Sequence, residues 1–241
     1  MRIIENQALD MTEPLWRYFK TDRFLETLQI SSLYFAAARQ FEDPFEGAVA
    51  VLRPGFPVDQ RYAKPGWQER AFEELRRLTK VSCWHRSAYE SNAMWQLYAS
   101  ARKGVAIRTN AERIQAAAKP FRLKSEYGHE ELWAGNVNYV DLLKERLSVS
   151  TMDRFWFKHM AFSWEREFRL ALSFEMAEEF GVRIPELGVQ VEFDIPQLVD
   201  RIYLGPGLSE EDIVAIRIAA KQHGLEDRIR VTSMLGSPRY I

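Results

Sequence analysis

Cys83 is the only cysteine in 241 residues. The chain can therefore form no intrachain disulfide and no multi-cysteine metal site, which fits a reducing compartment. Histidine is also sparse: the four are scattered, none has a partner at i+3 or i+4, and the sequence predicts no metal site. There is no excess of either charge. The 33 Lys and Arg nearly cancel the 34 Asp and Glu, so no global field draws the chain onto nucleic acid or an anionic membrane. No window approaches the roughly 20 apolar residues that span a bilayer, and the N-terminal MRIIENQALD lacks the apolar centre of a signal peptide. These absences predict a cytoplasmic protein with no membrane partner.

What the chain does have is aromatic bulk. Fifteen Phe and seven Trp supply a large core, and the length suits one domain over residues 1–241. Short runs of strand character alternate with capped helices, which predicts an α+β fold: a single domain with a mixed sheet. Its clearest unit is C-terminal. Arg201 to Leu204 reads as a strand, Ser209 to Gln222 as a helix capped by Ser209 with Asp212 and stopped by Gly224, and Ile229 to Ser233 as a second strand. That order predicts a parallel βαβ unit.

Further strands are expected at Leu15 to Phe19, Ser32 to Phe35, Val81 to His85, Val105 to Thr109, Val137 to Val140 and Val189 to Phe193. Helices are expected at Asp22 to Gln29, Trp67 to Leu78 with Arg76 and Arg77 outward, Ala111 to Ala118 capped by Asn110, and Met152 to Ser163. Ser87 is expected to cap a helix bearing Met94, Trp95, Leu97 and Tyr98, with Gly104 as its stop. Trp95 and Tyr98 are placed in the core or on the floor of a cleft. Residues 53–66 hold Pro54, Gly55, Pro57, Pro65 and Gly66, and read as a mobile loop or flap. Arg53, Arg61, Lys64, Tyr62 and Trp67 there offer a local patch for single strands, but the balanced net charge argues against nucleic acid as the main partner.

The densest polar stretch is Lys158 to Ser173, KHMAFSWEREFRLALS. Read as a strand from Trp164 onward, it puts Trp164, Phe168, Leu170 and Leu172 on one face and Glu165, Glu167 and Arg169 on the other. Same-face neighbours lie about 6.6 Å apart, enough for a ligand hydroxyl or a water between the two carboxylates. Three readings fit: a solvent-facing ion-pair ladder, nucleotide chemistry, or a carboxylate pair for glycosidic or phosphodiester hydrolysis. Upstream, FEDPFEG at Phe41 to Gly47 is a turn set by Pro44 and capped by Asp43, with Asp43 or Glu46 as further candidates to line a site. His159 is expected on an apolar helical face, and Cys83 with His85 makes a weak nucleophile and base pair.

Seven motifs in order resemble a bacterial domain-of-unknown-function family with an FNDPFE-like turn. They are LWRYF (Leu15 to Phe19), FEDPFE (Phe41 to Glu46), SCWH (Ser82 to His85), MWQLY (Met94 to Tyr98), KGVAI (Lys103 to Ile107), WEREFR (Trp164 to Arg169) and IYLGPG (Ile202 to Gly207). Glu42 and Trp84 depart from that family's usual Asn and Phe. The order Arg17, Ser82, Glu165, Glu167 is also similar to that of arginine-specific ADP-ribosyltransferases. That resemblance implies NAD as substrate, Arg17 on its phosphates, Ser82 supporting the nicotinamide pocket, Glu167 on the ribose and Glu165 orienting the acceptor, with Arg169 beside the pair. The expectation is thus an enzyme acting on a nucleotide such as NAD. The alternative is a non-catalytic interaction module.

Overall fold

The computed structural model describes residues 2–3, 9–50, 66–235 and 239. The expected flap at 53–66, with its patch, lies outside the described residues except for Gly66 and the backbone of Trp67.

In chain order, β1 (Arg2–Ile3) precedes β2 (Leu15–Lys20), and α1 (Thr21–Ile30) follows at once, burying Phe24 and Leu28 one turn apart. β3 (Ser32–Ala37) leads to the Phe41–Gly47 turn. α2 (Trp67–Leu78) runs into β4 (Thr79–Arg86). α3 (Asn92–Tyr98) is capped by Ser91, whose hydroxyl accepts the Met94 N–H, not by Ser87. β5 (Gly104–Thr109) then enters α4 (Ala111–Ala117), where Asn110 caps as expected. β6 (Trp133–Asn136), β7 (Asn138–Val140), β8 (Phe157–His159) and β9 (Glu167–Ser173) come next, followed by α5 (Glu175–Glu179) and β10 (Gly188–Glu192). α6 (Ile195–Leu198), β11 (Arg201–Leu204), α7 (Glu210–Gln222) and β12 (Ile229–Val231) close the fold, which is α+β.

The chain divides into two compact units, and β3, β4 and β10 each pass from one to the other. The first is drawn from Met1–Leu9, Tyr34–Cys83 and Pro120–Gln190. Its strands run in the order β1, β6, β9, β4, with β6 and β9 antiparallel and Gly135 opposite Arg169. β3 pairs with both β4 and β10, while β7 and β8 form a separate parallel pair. Its core packs Leu75, Val81, Met152, Phe155, Trp156 and Ala171 together.

The second unit is drawn from Asp10–Leu33, Trp84–Lys119 and Val191–Ile241. Here β2 lies antiparallel to β5 and to the end of β4, and β11 is antiparallel to β5. β11 and β12 pair in parallel, as the βαβ reading requires, with Ile202 opposite Ile229. Ser209 caps α7 through the Asp212 N–H. Trp16, Tyr18, Met94, Trp95, Ala99 and Ala106 form a core cluster. No described helix is long and apolar enough to cross a membrane.

Several local expectations fail for identifiable reasons. Leu97 and Tyr98 are 61% and 46% exposed, because α3 is too short to bury more than the Met94 and Trp95 side. Gly104 does not stop α3 but opens β5. A Cβ there would sit 2.1 Å from the Phe19 carbonyl oxygen, so close strand pairing requires the glycine. Arg76 turns inward, bonding Glu73 at 3.0 Å and the Ala38 carbonyl at 3.4 Å over the Phe72 ring. Residues 152–163 are not one helix but two 3-10 turns flanking β8. His159 accordingly leaves its predicted apolar face: half-buried, it accepts the Ala161 N–H at 3.2 Å as a cap.

Candidate functional site

The strand expected to begin at Trp164 begins at Glu167. Met160–Glu165 is a 3-10 turn, and Arg166 has left-handed backbone (φ 44°), which reverses the chain between the two glutamates. The reversal decides the site. In a continuous helix Lys158 and Glu165 would be separated by about 10 Å of rise. Instead the Lys158 Nζ donates to Glu165 Oε2 and also to Glu167 Oε1 at 2.9 Å.

On β9 the two-residue strand period puts Arg169 beside Glu167, and its Nε donates to Glu167 Oε2 at 2.5 Å. The far end of the guanidinium meets Glu46 bidentately, at 2.5 and 3.0 Å, and donates to the Phe155 carbonyl at 2.7 Å. The Phe41–Gly47 turn delivers Glu46. Asp43 Oδ1 accepts the Phe45 N–H at 2.9 Å, and Gly47 takes φ +77° against the Phe155 ring, where a Cβ would stand 2.8 Å away. Phe41 lies under Arg169 and Phe162 under Lys158, at 5.8 and 4.5 Å.

The result is a buried knot of three carboxylates and two cations, net −1 when all are ionised. Glu46 and Arg169 are 0% and 1% exposed, and Glu165, Glu167 and Lys158 are 4%, 6% and 6%. The solvent-facing ladder is thereby overturned, for both sides of β9 are covered. Burial raises Glu165, and its bond to the Glu167 carboxylate adds to that, so its pKa is pushed up to about 7. Burial opposes ionisation of Glu167 as well, but the charge of Arg169, the Glu165 bond and Lys158 hold it well below the usual carboxylate range. Burial likewise pushes Glu46 up, against the pull of Arg169. Neighbouring carboxylates with such divided affinities are a recurrent mark of acid–base sites.

The structure brings together Glu46, Glu165, Glu167 and Arg169. Asp43 lies in the same turn, buried, with one oxygen on the turn backbone and Oδ2 lacking a partner among the described residues. Ser82 is buried on β4 in the same unit. Arg17 belongs to the second unit, with its guanidinium 5.2 Å from the Phe19 ring and 5.6 Å from the Trp84 ring. Cys83 is partly buried, and burial followed by the Glu167 charge pushes its thiol up, the reverse of what a nucleophile needs.

Lys158 escaped the sequence reading, although a lone lysine within an apolar run was its available signal. Tyr139 escaped without any signal: its hydroxyl accepts the Glu167 N–H at 2.7 Å, and burial raises its phenol. Among the described residues no group of three or more acidic, His or Cys side chains is arranged to hold a metal ion.

No protein-family model matches the chain, and no curated protein matches it. Among solved structures it is similar to Thermus sp. 2.9 DarT in complex with NAD+, at 10% identity and a TM-score of 0.38, over 94% of this chain and 96% of that one. The same protein in complex with carba-NAD+ scores 0.36 at 12% identity over 93% and 96% of the two chains. In complex with ADP-ribosylated ssDNA it scores 0.36 at 9% over 95% and 97%. At such scores the likeness is distant.

Proposed function

We propose that the chain is an enzyme acting on a nucleotide such as NAD, with Glu165 as its acid–base group. What carries this reading is the placement of the Glu165 carboxyl, buried against Lys158 and beside Glu167, where burial and the Glu167 carboxylate push its pKa up to about 7. Glu167 has one oxygen on Lys158 and the other on Arg169, so its role is to fix Lys158 and hold charge. In the transfer, the bond between ribose and nicotinamide breaks with its electron pair leaving on the nicotinamide. An acceptor oxygen or nitrogen then bonds to the ribose carbon, and the acceptor's proton passes to Glu165. The Arg17, Ser82 and Glu-x-Glu order in the sequence supports NAD as the nucleotide to test first.

Nicotinamide release from NAD by the purified protein tests the reading, with nucleotides and sugars assayed in parallel. Glu165→Gln is expected to lower turnover about 100-fold or more while preserving thermal stabilisation by NAD, about 2.7 kcal/mol at 100-fold excess over Kd. Absence of both turnover and stabilisation across the panel overturns it. The saturation of Glu46 and Arg169 favours a second reading, in which the knot is a structural clasp of an interaction module. Glu165→Gln then changes stability alone.

A further inference from the structure

The second unit has a cavity of about 540 Å³, lined by the ends of β5 and α4 and by the α6 segment. It is separate from the residues of the buried knot and has the volume of a small-molecule site. Its polar groups are unequally occupied. Arg108 is fixed by Asp200, with Nε at 2.9 Å and Nη2 at 2.6 Å on a single carboxylate oxygen, a clasp that uses neither hydrogen of Nη1. Arg113 spends Nη2 on the Val199 carbonyl at 3.1 Å, and its buried Nε has no partner among the described residues. Asn110 uses Oδ1 to cap α4 at the Arg113 N–H, a bond that does not involve its amide NH₂. The Gln197 side chain also lines the cavity.

Of the two carboxylates in the lining, only Asp200 is held by cations among the described residues. Asp200 gives one oxygen to Arg108 and the other to Arg201 at 3.3 Å, and Glu112 is exposed. Two guanidiniums and an amide thus line a space too large for a lone inorganic ion. We propose that this cavity is a ligand site for a small organic anion, about the size of a sugar phosphate. Its phosphate or carboxylate would take Arg113 and Arg108, and its hydroxyls the Asn110 and Gln197 amides. Because Glu112 and Asp200 balance the two arginines, recognition rests on directed donors rather than net charge. A neutral sugar of the same shape should bind far less well.

Ribose 5-phosphate, citrate, inorganic phosphate and ribose titrated into the full chain at millimolar concentration, followed by NMR, test the proposal. Either organic anion should shift signals of Arg108, Asn110, Arg113 and Gln197, and bind at least about tenfold more tightly than ribose, ~1.4 kcal/mol. Arg113→Gln should weaken it about as much. Because Arg113 also bonds Val199, Ala116→Phe serves as a second variant that fills the cavity and leaves every arginine in place. No shifts at these residues, ribose binding as well as ribose 5-phosphate, or full binding by Ala116→Phe each overturns the assignment. Glu165→Gln should bind the anion unchanged, which separates failure here from failure of the NAD reading.

Discussion

Arg169 is the residue on which the first unit's polar interior turns. Its guanidinium carries four hydrogen bonds to two carboxylates and a carbonyl, with almost no exposure. Replacing it with methionine would strand Glu46 without its counter-charge, and the expected cost is roughly 3–5 kcal/mol in chemical denaturation. Because the pair is shielded from solvent, that cost should persist in 1 M salt, where an exposed pair would already be screened. The sequence offered Arg169 as one rung of a ladder. Its partner Glu46 lies 123 positions away, in a turn that the sequence marks as a candidate to line a site; nothing in local spacing announces such a pairing.

At the scale of elements, α3 shows how a short helix is held by its ends and one face. Ser91 caps it, Trp95 is fully buried, and the indole N–H donates to Glu90 at 3.0 Å. Glu90 also accepts from Thr232 and Ser233, so removing the indole disturbs the C-terminal segment too. Trp95→Ala is expected to cost about 3–5 kcal/mol by thermal or urea unfolding, whereas Tyr98→Ala, at an exposed site, should change stability by only about 0.5 kcal/mol. Both residues sit in the same aromatic stripe of the sequence. Periodicity gave their spacing, but the depth of the neighbouring surface decided which was covered.

For the whole molecule, the knot sets a dependence of stability on pH. Glu165 binds its proton more tightly folded than unfolded, so its contribution is present below about pH 4.5 and is lost as pH rises through about 7. Glu167 has the opposite sign: its contribution is present above its unfolded pKa and is lost on acidification. Glu46, also raised by burial, acts in the same direction as Glu165. The melting temperature should therefore fall between about pH 5 and 8, and Glu165→Gln should make that limb shallower; a limb unchanged in the variant would assign the titration elsewhere. The amino-acid sequence by itself determined the α+β class, the parallel C-terminal unit, the caps at Asn110 and Ser209 and the FEDPFEG turn, because the first two rest on the order of elements along the chain and the others on contacts between near neighbours. Tertiary structure alone decided that Glu165 lies off the strand, that Lys158 joins it, that Arg76 turns inward and that Tyr98 faces water. Those outcomes depend on the left-handed turn at Arg166 and on which surfaces pack over them, and a buried charge finds its partner by proximity in space rather than along the chain.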